Sequence, residues 1–352
     1  MWRSSISESR HPHHLQVAVN AKSLETLYTS RPHINQAELL NNAYKSDLLL
    51  VLVTLLASIS WMFSKEAVLQ MPPLLFMSIR FFLAALLLSC ASYRALGKLA
   101  VSAWLHSARV GLVFGIAMCF WVTGLAKASH VGEAAFLASL GVVMVPIIGR
   151  ALFKEAIPTS TWVALPVALI GLGFLSLSAP MDHALKIETS HILLLSSAAL
   201  FALYFNLNAR VTNIQSFVRD DGEEGKTNKI PVLALTTIVL ATTGIITGLA
   251  SAILEPWQPT VSDMHGELVV WILLSATIGT ALRFLVQTYA QSLTANSHGV
   301  VIMVLEPLWT TLIAMAWFGE SMNASQLVGC LFILLSLVIN RLKAITQLLR
   351  LG

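Results

Sequence analysis

Ten apolar runs follow one another from residue 47 almost to the end of the chain. Each is close to the ~20 residues that carry a helix across ~30 Å of hydrocarbon. They lie at 48–69, 73–93, 108–127, 132–150, 159–178, 191–211, 231–253, 268–290, 298–318 and 325–341. Helices are the expected form, because an open sheet would leave backbone N–H and C=O groups unpaired in lipid. Only 11% of the residues are charged, against roughly 25% in an ordinary soluble domain. A soluble fold of this size could not be given a charged exterior from such a supply. The sequence therefore predicts an all-α integral membrane protein with ten transmembrane helices.

The two halves end in similar passages. SLGVVMVPIIGRALFKE (139–155) leads into one apolar span and IMVLEPLWTTLIAMAWFGE (302–320) into another. Each sets an apolar run before a proline, Pro146 or Pro307, and closes on a glutamate, Glu155 or Glu320, where the helix meets water. With five spans in each half, the two passages should lie upside down relative to each other. Inverted repeats of that kind are a mark of many secondary transporters. The halves are read as 47–179 and 180–343, flanked by a polar, disordered cytoplasmic tail (1–46) and a short cytoplasmic tail (344–352). The relation is approximate: nine residues separate proline from glutamate in the first half and thirteen in the second. Val145 also stands where the second half has Glu306, so the site should be asymmetric.

Orientation follows from the basic residues. With the N-terminus inside, seventeen Lys and Arg fall on the cytoplasmic side and three, Lys65, Lys127 and Lys186, on the other. That excess places both termini in the cytoplasm. The net charge of +4 is thus a topology signal, and no nucleic-acid partner is implied. The tail lacks the apolar core of a secretory signal. Its His11-Pro12-His13-His14 cluster has no further ligand set nearby and reads as solvated chain. The charged stretch 219–229 reads as a mobile linker. Cys90, Cys119 and Cys330 lie far apart within apolar spans and read as buried small hydrophobes, with no disulfide framework or metal site.

Polar groups at depth carry the functional information, because a charge near the bilayer centre costs about 2.5–3.5 kcal/mol on insertion scales. Arg80, Arg283 and Glu306 are the candidates. Arg283 lies eight residues before Gln291 and Glu306 eight after His298, so both sit roughly 12 Å from one cytoplasmic turn. They are expected to face each other, as a pair or across a substrate. At 100° per residue Thr277, Thr280, Arg283, Gln287 and Gln291 share a stripe. Glu306, Thr310 and Trp317 share another, as do Thr54, Ser58, Trp61 and Lys65, and Ser197, Tyr204 and Asn208. Four half-polar faces suit a central wet path. Simpler roles stand beside these: Arg80 as an anchor for backbone carbonyls, Lys65 and Trp61 as interfacial groups, and Ser or Thr bonding their own helices. Glu133 and Glu155 are read as helix-end features. A carboxylate at the depth of Glu306 could also exchange protons. Pro146 and Pro307 are candidate hinges, since a proline within a span permits a kink.

Several passages carry a family likeness. SWMFSKEAV (60–68), PPLLFMSIRFFLAALLL (72–88) with Arg80, ALFALYFNLNARV (199–211), TALRFLVQTYAQ (280–291) and LEPLWTTLIAMAWFGESMNASQLVG (305–329) occur in order along the spans. In that order the chain resembles the EamA-type transporters of the drug/metabolite transporter superfamily over roughly residues 47–343. The resemblance implies alternating-access transport of a small organic metabolite, an amino acid or related compound, with export favoured, across a bacterial inner membrane. Candidate substrate or coupling residues are Glu306, Arg283, Arg80, Gln287, Tyr204, Asn208, Trp61 and Lys65. A flippase for a lipid-linked substrate is the alternative. A membrane-embedded enzyme is disfavoured by the lack of HExxH or GxSxG, and an ATP-driven pump by the lack of GxxxxGK[ST]. Expected partners are a small-molecule metabolite and the lipid bilayer, with a homodimer left open; no cofactor is expected.

Overall fold

The computed structural model describes residues 36–127, 131–156, 159–176, 189–212, 215–217, 227–257, 265–293, 302–318 and 324–351. Their helices are α1 (Gln36–Val68), α2 (Pro73–Gly97), α3 (Val101–Lys127), α4 (Val131–Phe153), α5 (Thr159–Ser176) and α6 (Thr189–Val211). A two-stranded antiparallel ribbon, β1 (Gln215–Phe217) and β2 (Thr227–Lys229), then leads to α7 (Val232–Leu254). The next span is α8 (Gly266–Ala276), which passes through a π turn (Thr277–Leu282) into α9 (Arg283–Leu293). A 3₁₀ turn at 302–304 precedes α10 (Leu305–Phe318), and α11 (Ala324–Leu351) closes the described chain.

Six helical spans among the described residues are long and apolar enough to cross a membrane: Asn42–Val68, Pro73–Gly97, Val101–Lys127, Thr189–Val211, Val232–Leu254 and Gly266–Leu293. Four shorter apolar helices, Leu137–Phe153, Thr159–Gly171, Ile302–Trp317 and Leu327–Ser336, accompany them. Prolines mark two entries. Pro73 opens α2 and Pro231 precedes α7, positions where a missing N–H removes no helical bond. Helix α4 ends where Lys154 turns into the left-handed region (φ 57°) and Glu155 N–H reaches back to Gly149 O at 3.2 Å.

Residues 42–352 form one compact unit. Within it α2 packs along α7, α3 lies against α6 and α7, α4 against α6, and α5 against α11. An aromatic cluster of Phe81, Phe114, Tyr204 and Phe284 sits at the centre of one core. A second core joins Val142 and Val145 to Ile302, Val304, Leu308 and Ile333. The apolar side chains left exposed on α2, α5, α7 and α11 form the surface expected to face lipid.

Several boundaries differ from the sequence reading. Helix α1 begins at Gln36 instead of residue 48, so the end of the expected disordered tail is helical; residues 1–35, with the histidine cluster, lie outside the described residues. The expected loop 94–107 shrinks to 98–100, because polar residues at helix ends extend α2 and α3 beyond the apolar stretch. Helix α11 runs through the expected tail to Leu351. The end of the charged linker, Thr227–Lys229, is β2 and pairs with β1 just before the linker, and residues 218–226 lie outside the described residues. Cys90 is exposed on α2 instead of buried, and Cys330 is buried. Glu320, His298 and the side chain of Glu133 also lie outside the described residues.

Candidate functional site

A cavity of about 130 Å³ lies among α1, α2, α3, α4, α6, α9 and α10. That is well above the ~10–15 Å³ needed to admit one water and leaves room for several waters or one small solute. Its apolar wall includes Met77, Phe114, Trp121, Val142 and Phe205. Trp61 and Trp121 meet edge to face with centroids 4.8 Å apart. The polar wall comes from Trp61, Tyr204, Arg283, Gln287, Glu306 and Thr310.

Glu306 is the focus of that polar wall. It stands in the first turn of α10, where the helix dipole favours a negative charge. Its Oε1 accepts from Trp61 Nε1 at 3.0 Å, and its Oε2 lies 3.4 Å from Arg283 Nη2. The two charged side chains keep 14% and 21% of their surface exposed, so the pair is loose and reachable from the cavity. The Glu306 carbonyl is fixed separately, by Ser58 Oγ at 2.9 Å and Thr310 Oγ1 at 2.9 Å.

Two atoms beside this pair have no hydrogen-bond partner among the described residues: Arg283 Nε, a donor, and Gln287 Oε1, an acceptor. Gln287 is fully buried, and its amide nitrogen reaches Tyr204 Oη at a long 3.4 Å. The two residues lie one helical turn apart on α9 and both line the cavity, so a solute reaching these atoms would need an acceptor for the first and a donor for the second. Unpaired buried polar atoms are costly, ~1–3 kcal/mol each, and a ligand that met both would recover that cost.

The remaining candidates divide clearly. Arg80 borders the cavity but is 4% exposed, and its guanidinium is taken up by protein. It donates to Ser60 Oγ (2.8 Å), Ser64 Oγ (2.8 Å), Gly279 O (3.1 Å) and Thr280 Oγ1. Asn208 is buried below the cavity and donates to Gln291 Oε1. Lys65 is half-buried near the end of α1 and does not line the cavity. Trp317 joins Phe63 and Trp271 in a separate aromatic cluster. Thr54, Ser197 and Thr277 bond carbonyls of their own helices.

The stripe expected on the eighth span is broken. A π turn holds one more residue than an α turn, so residues after it are offset by about 100° from those before it. Arg283 and Gln287 reach the cavity while Thr277 points elsewhere and Thr280 engages Arg80. Pro307 borders the cavity in the first turn of α10. Its ring excludes α geometry four residues earlier, which fits the 3₁₀ turn at 302–304. Pro146 lies inside α4, which continues past it.

Sequence reasoning missed Glu255. Its carboxylate accepts the N–H groups of Leu74 and Leu75 at the start of α2, both at 2.8 Å. The signal was present in the Pro72-Pro73 start, which supplies no side-chain cap. It also missed Asn206, which ties α6 to Val145 O of α4 at 2.9 Å, and Arg210, which pairs with Glu155 at 2.6 Å.

The comparisons agree with this architecture. Residues 44–177, and again 222–342, match the EamA-like transporter family. A curated protein of Archaeoglobus fulgidus described as an uncharacterized transporter is 24% identical over 298 residues, 85% of this chain and 86% of the relative. A crystal structure described only as that of a protein superposes with a TM-score of 0.66 at 14% identity. It covers 88% of this chain and 99% of its own, and that likeness concerns the fold alone.

Proposed function

The chain belongs to the EamA-like transporter family, and from that premise we propose that it exports a zwitterionic small metabolite, an amino acid or related compound, by alternating access. By kinship it is a multi-pass membrane transporter. The observation that carries the substrate reading is that two residues of the cavity wall, Arg283 and Gln287, each keep an unmatched polar atom, a donor Nε and an acceptor Oε1, next to the loose Arg283–Glu306 pair. In this reading Arg283 receives the substrate carboxylate, and Glu306 with Gln287 Oε1 receives its ammonium. Trp61, Trp121 and Phe114 supply the apolar wall for its side chain.

The proposed frame is two inverted five-span repeats with both termini cytoplasmic in a bacterial inner membrane. Two separate matches to one family and the seventeen-to-three bias of basic residues support it. Proton coupling through Glu306 belongs to the same reading.

The test compares cells carrying wild type, Glu306→Gln or no protein by mass spectrometry of internal and external small molecules. One zwitterionic class should move outward with wild type and fall at least tenfold in rate with Glu306→Gln. Any residual transport by the variant should lack the wild type's pH dependence. Redistribution of lipid-linked species without soluble ones would replace this reading with a flippase. Wild-type behaviour of Glu306→Gln would remove Glu306 from the site.

A further inference from the structure

The segment that leads into Arg283 is held from other helices. In the π turn Thr277–Leu282 the Arg283 N–H bonds Thr280 O, and the Thr280 hydroxyl reaches back to Ser275 O at 2.8 Å. The Gly279 carbonyl accepts from Arg80 Nη2 of α2. The same guanidinium bonds Thr280 Oγ1 and ties both residues to Ser60 and Ser64 of α1. A Cβ at Gly279 would collide with Ser60 Oγ and lie 2.8 Å from Ser60 Cβ, so α1 and the turn are in close register. No carboxylate pairs with Arg80 among the described residues. A charge buried at that depth is expensive to keep unless its donors are used.

A π turn has poorer backbone hydrogen bonding than an α turn and persists where outside groups hold it. Four hydrogen bonds leave at most one of the five guanidinium N–H groups to reach into the cavity. We infer that Arg80 is a positioning residue: it clamps the π turn and so sets the direction in which Arg283 enters the cavity. This takes the cavity as the substrate site, but its test does not depend on transport.

Thr280 separates positioning from direct contact, because it is fully buried and does not line the cavity. Thr280→Val removes a hydroxyl that Arg80 uses and no group a substrate could touch. In a background carrying Cys90→Ala, Cys119→Ala and Cys330→Ala, Arg283→Cys is labelled in proteoliposomes with a charged methanethiosulfonate reagent. Trp61→Cys serves as the reference on α1. Arg80→Lys and Thr280→Val should each slow labelling at position 283 by tenfold or more and leave position 61 within twofold. Thr277→Val, whose hydroxyl bonds Leu273 O, should leave both positions within twofold. Unchanged labelling at 283 in Arg80→Lys and Thr280→Val overturns the inference, as does an equal loss at 61 and 283, which would mean general collapse. Labelling needs no turnover, so a silent transport assay bears on the substrate reading alone.

Discussion

Removing the Glu255 carboxylate should loosen the start of α2 in a way that can be worked out from its hydrogen bonds. The first N–H groups of a helix have no partner within it. In α2 Pro73 has no N–H, and Phe76 N–H bonds Pro72 O at 2.9 Å. Leu74 and Leu75 are left, and both donate to Glu255 at 2.8 Å. The carboxylate is itself steadied by Ser251 Oγ at 2.7 Å, which also accepts from Trp257 Nε1. Losing an N-terminal cap costs ~0.5–2 kcal/mol. Two N–H groups on one ionised acceptor put this cap near the upper end, and partial exposure, which lets water substitute, argues against going beyond it. About 2 kcal/mol corresponds to roughly a 30-fold shift in local opening, at ~1.4 kcal/mol per factor of ten. Hydrogen–deuterium exchange on peptides covering residues 72–80 should therefore show Glu255→Ala accelerating the first turn about 10- to 30-fold. Glu255→Gln, which keeps one acceptor oxygen without charge, should fall between it and wild type. Acceleration below threefold, or one spread evenly along α2 and α7, would refute the argument.

Gly171→Ala should destabilise the protein by about 1–3 kcal/mol, as overpacking does, because its Cβ would lie 2.9 Å from Gly329 O and Ile333 N, backbone atoms that cannot swing aside. Gly173→Ala, with nothing within 4 Å, should be neutral or stabilise by up to about 1 kcal/mol through helix propensity. Melting in detergent separates the two. Asn206→Leu should stay within about 1 kcal/mol of wild type in the same assay. It gives up bonds to Val145 O and Ala202 O, worth ~0.6 kcal/mol each in a membrane bundle, but also removes the unpaired buried Oδ1. A larger loss would mean that this oxygen has a partner in the membrane.

How much was legible in the chain depended on whether the cause was local. Apolar runs of bilayer length marked the helices, and the depth of Arg283 and Glu306 along their spans brought the two onto one site, now 3.4 Å apart. Helix ends were less visible, because α1, α3 and α11 continue past the apolar stretch into residues whose polarity says water and not coil. The π turn was hidden for a different reason. Thr277-Ile278-Gly279 is ordinary helical sequence, and the guanidinium that bonds the Gly279 carbonyl lies 199 positions away in sequence. The roles of Thr280 and Thr277 were misread with it, since face assignment assumes an unbroken period of 3.6. Glu255 was missed because it caps a helix 181 positions away in sequence.

The proposed repeat and its asymmetry meet at the two prolines. In each half the residue before the proline offers its carbonyl to a side chain of the opposite half: Val145 O accepts from Asn206 of α6, and Glu306 O from Ser58 of α1. That correspondence supports a common ancestry for the two passages, yet the helices around them differ. Pro146 sits inside α4 with Val145 packed in the core at 1% exposure. Pro307 sits in the first turn of a helix that begins after a 3₁₀ turn. A helix start presents the positive end of a dipole, an environment in which a carboxylate is tolerated and a valine gains nothing. The break before α10 therefore explains why the acid belongs to the second half only. In the proposed repeat it also gives a physical reason for one acidic site instead of two, with Trp61, Phe114 and Trp121 contributing aromatic wall where Glu306 contributes negative charge.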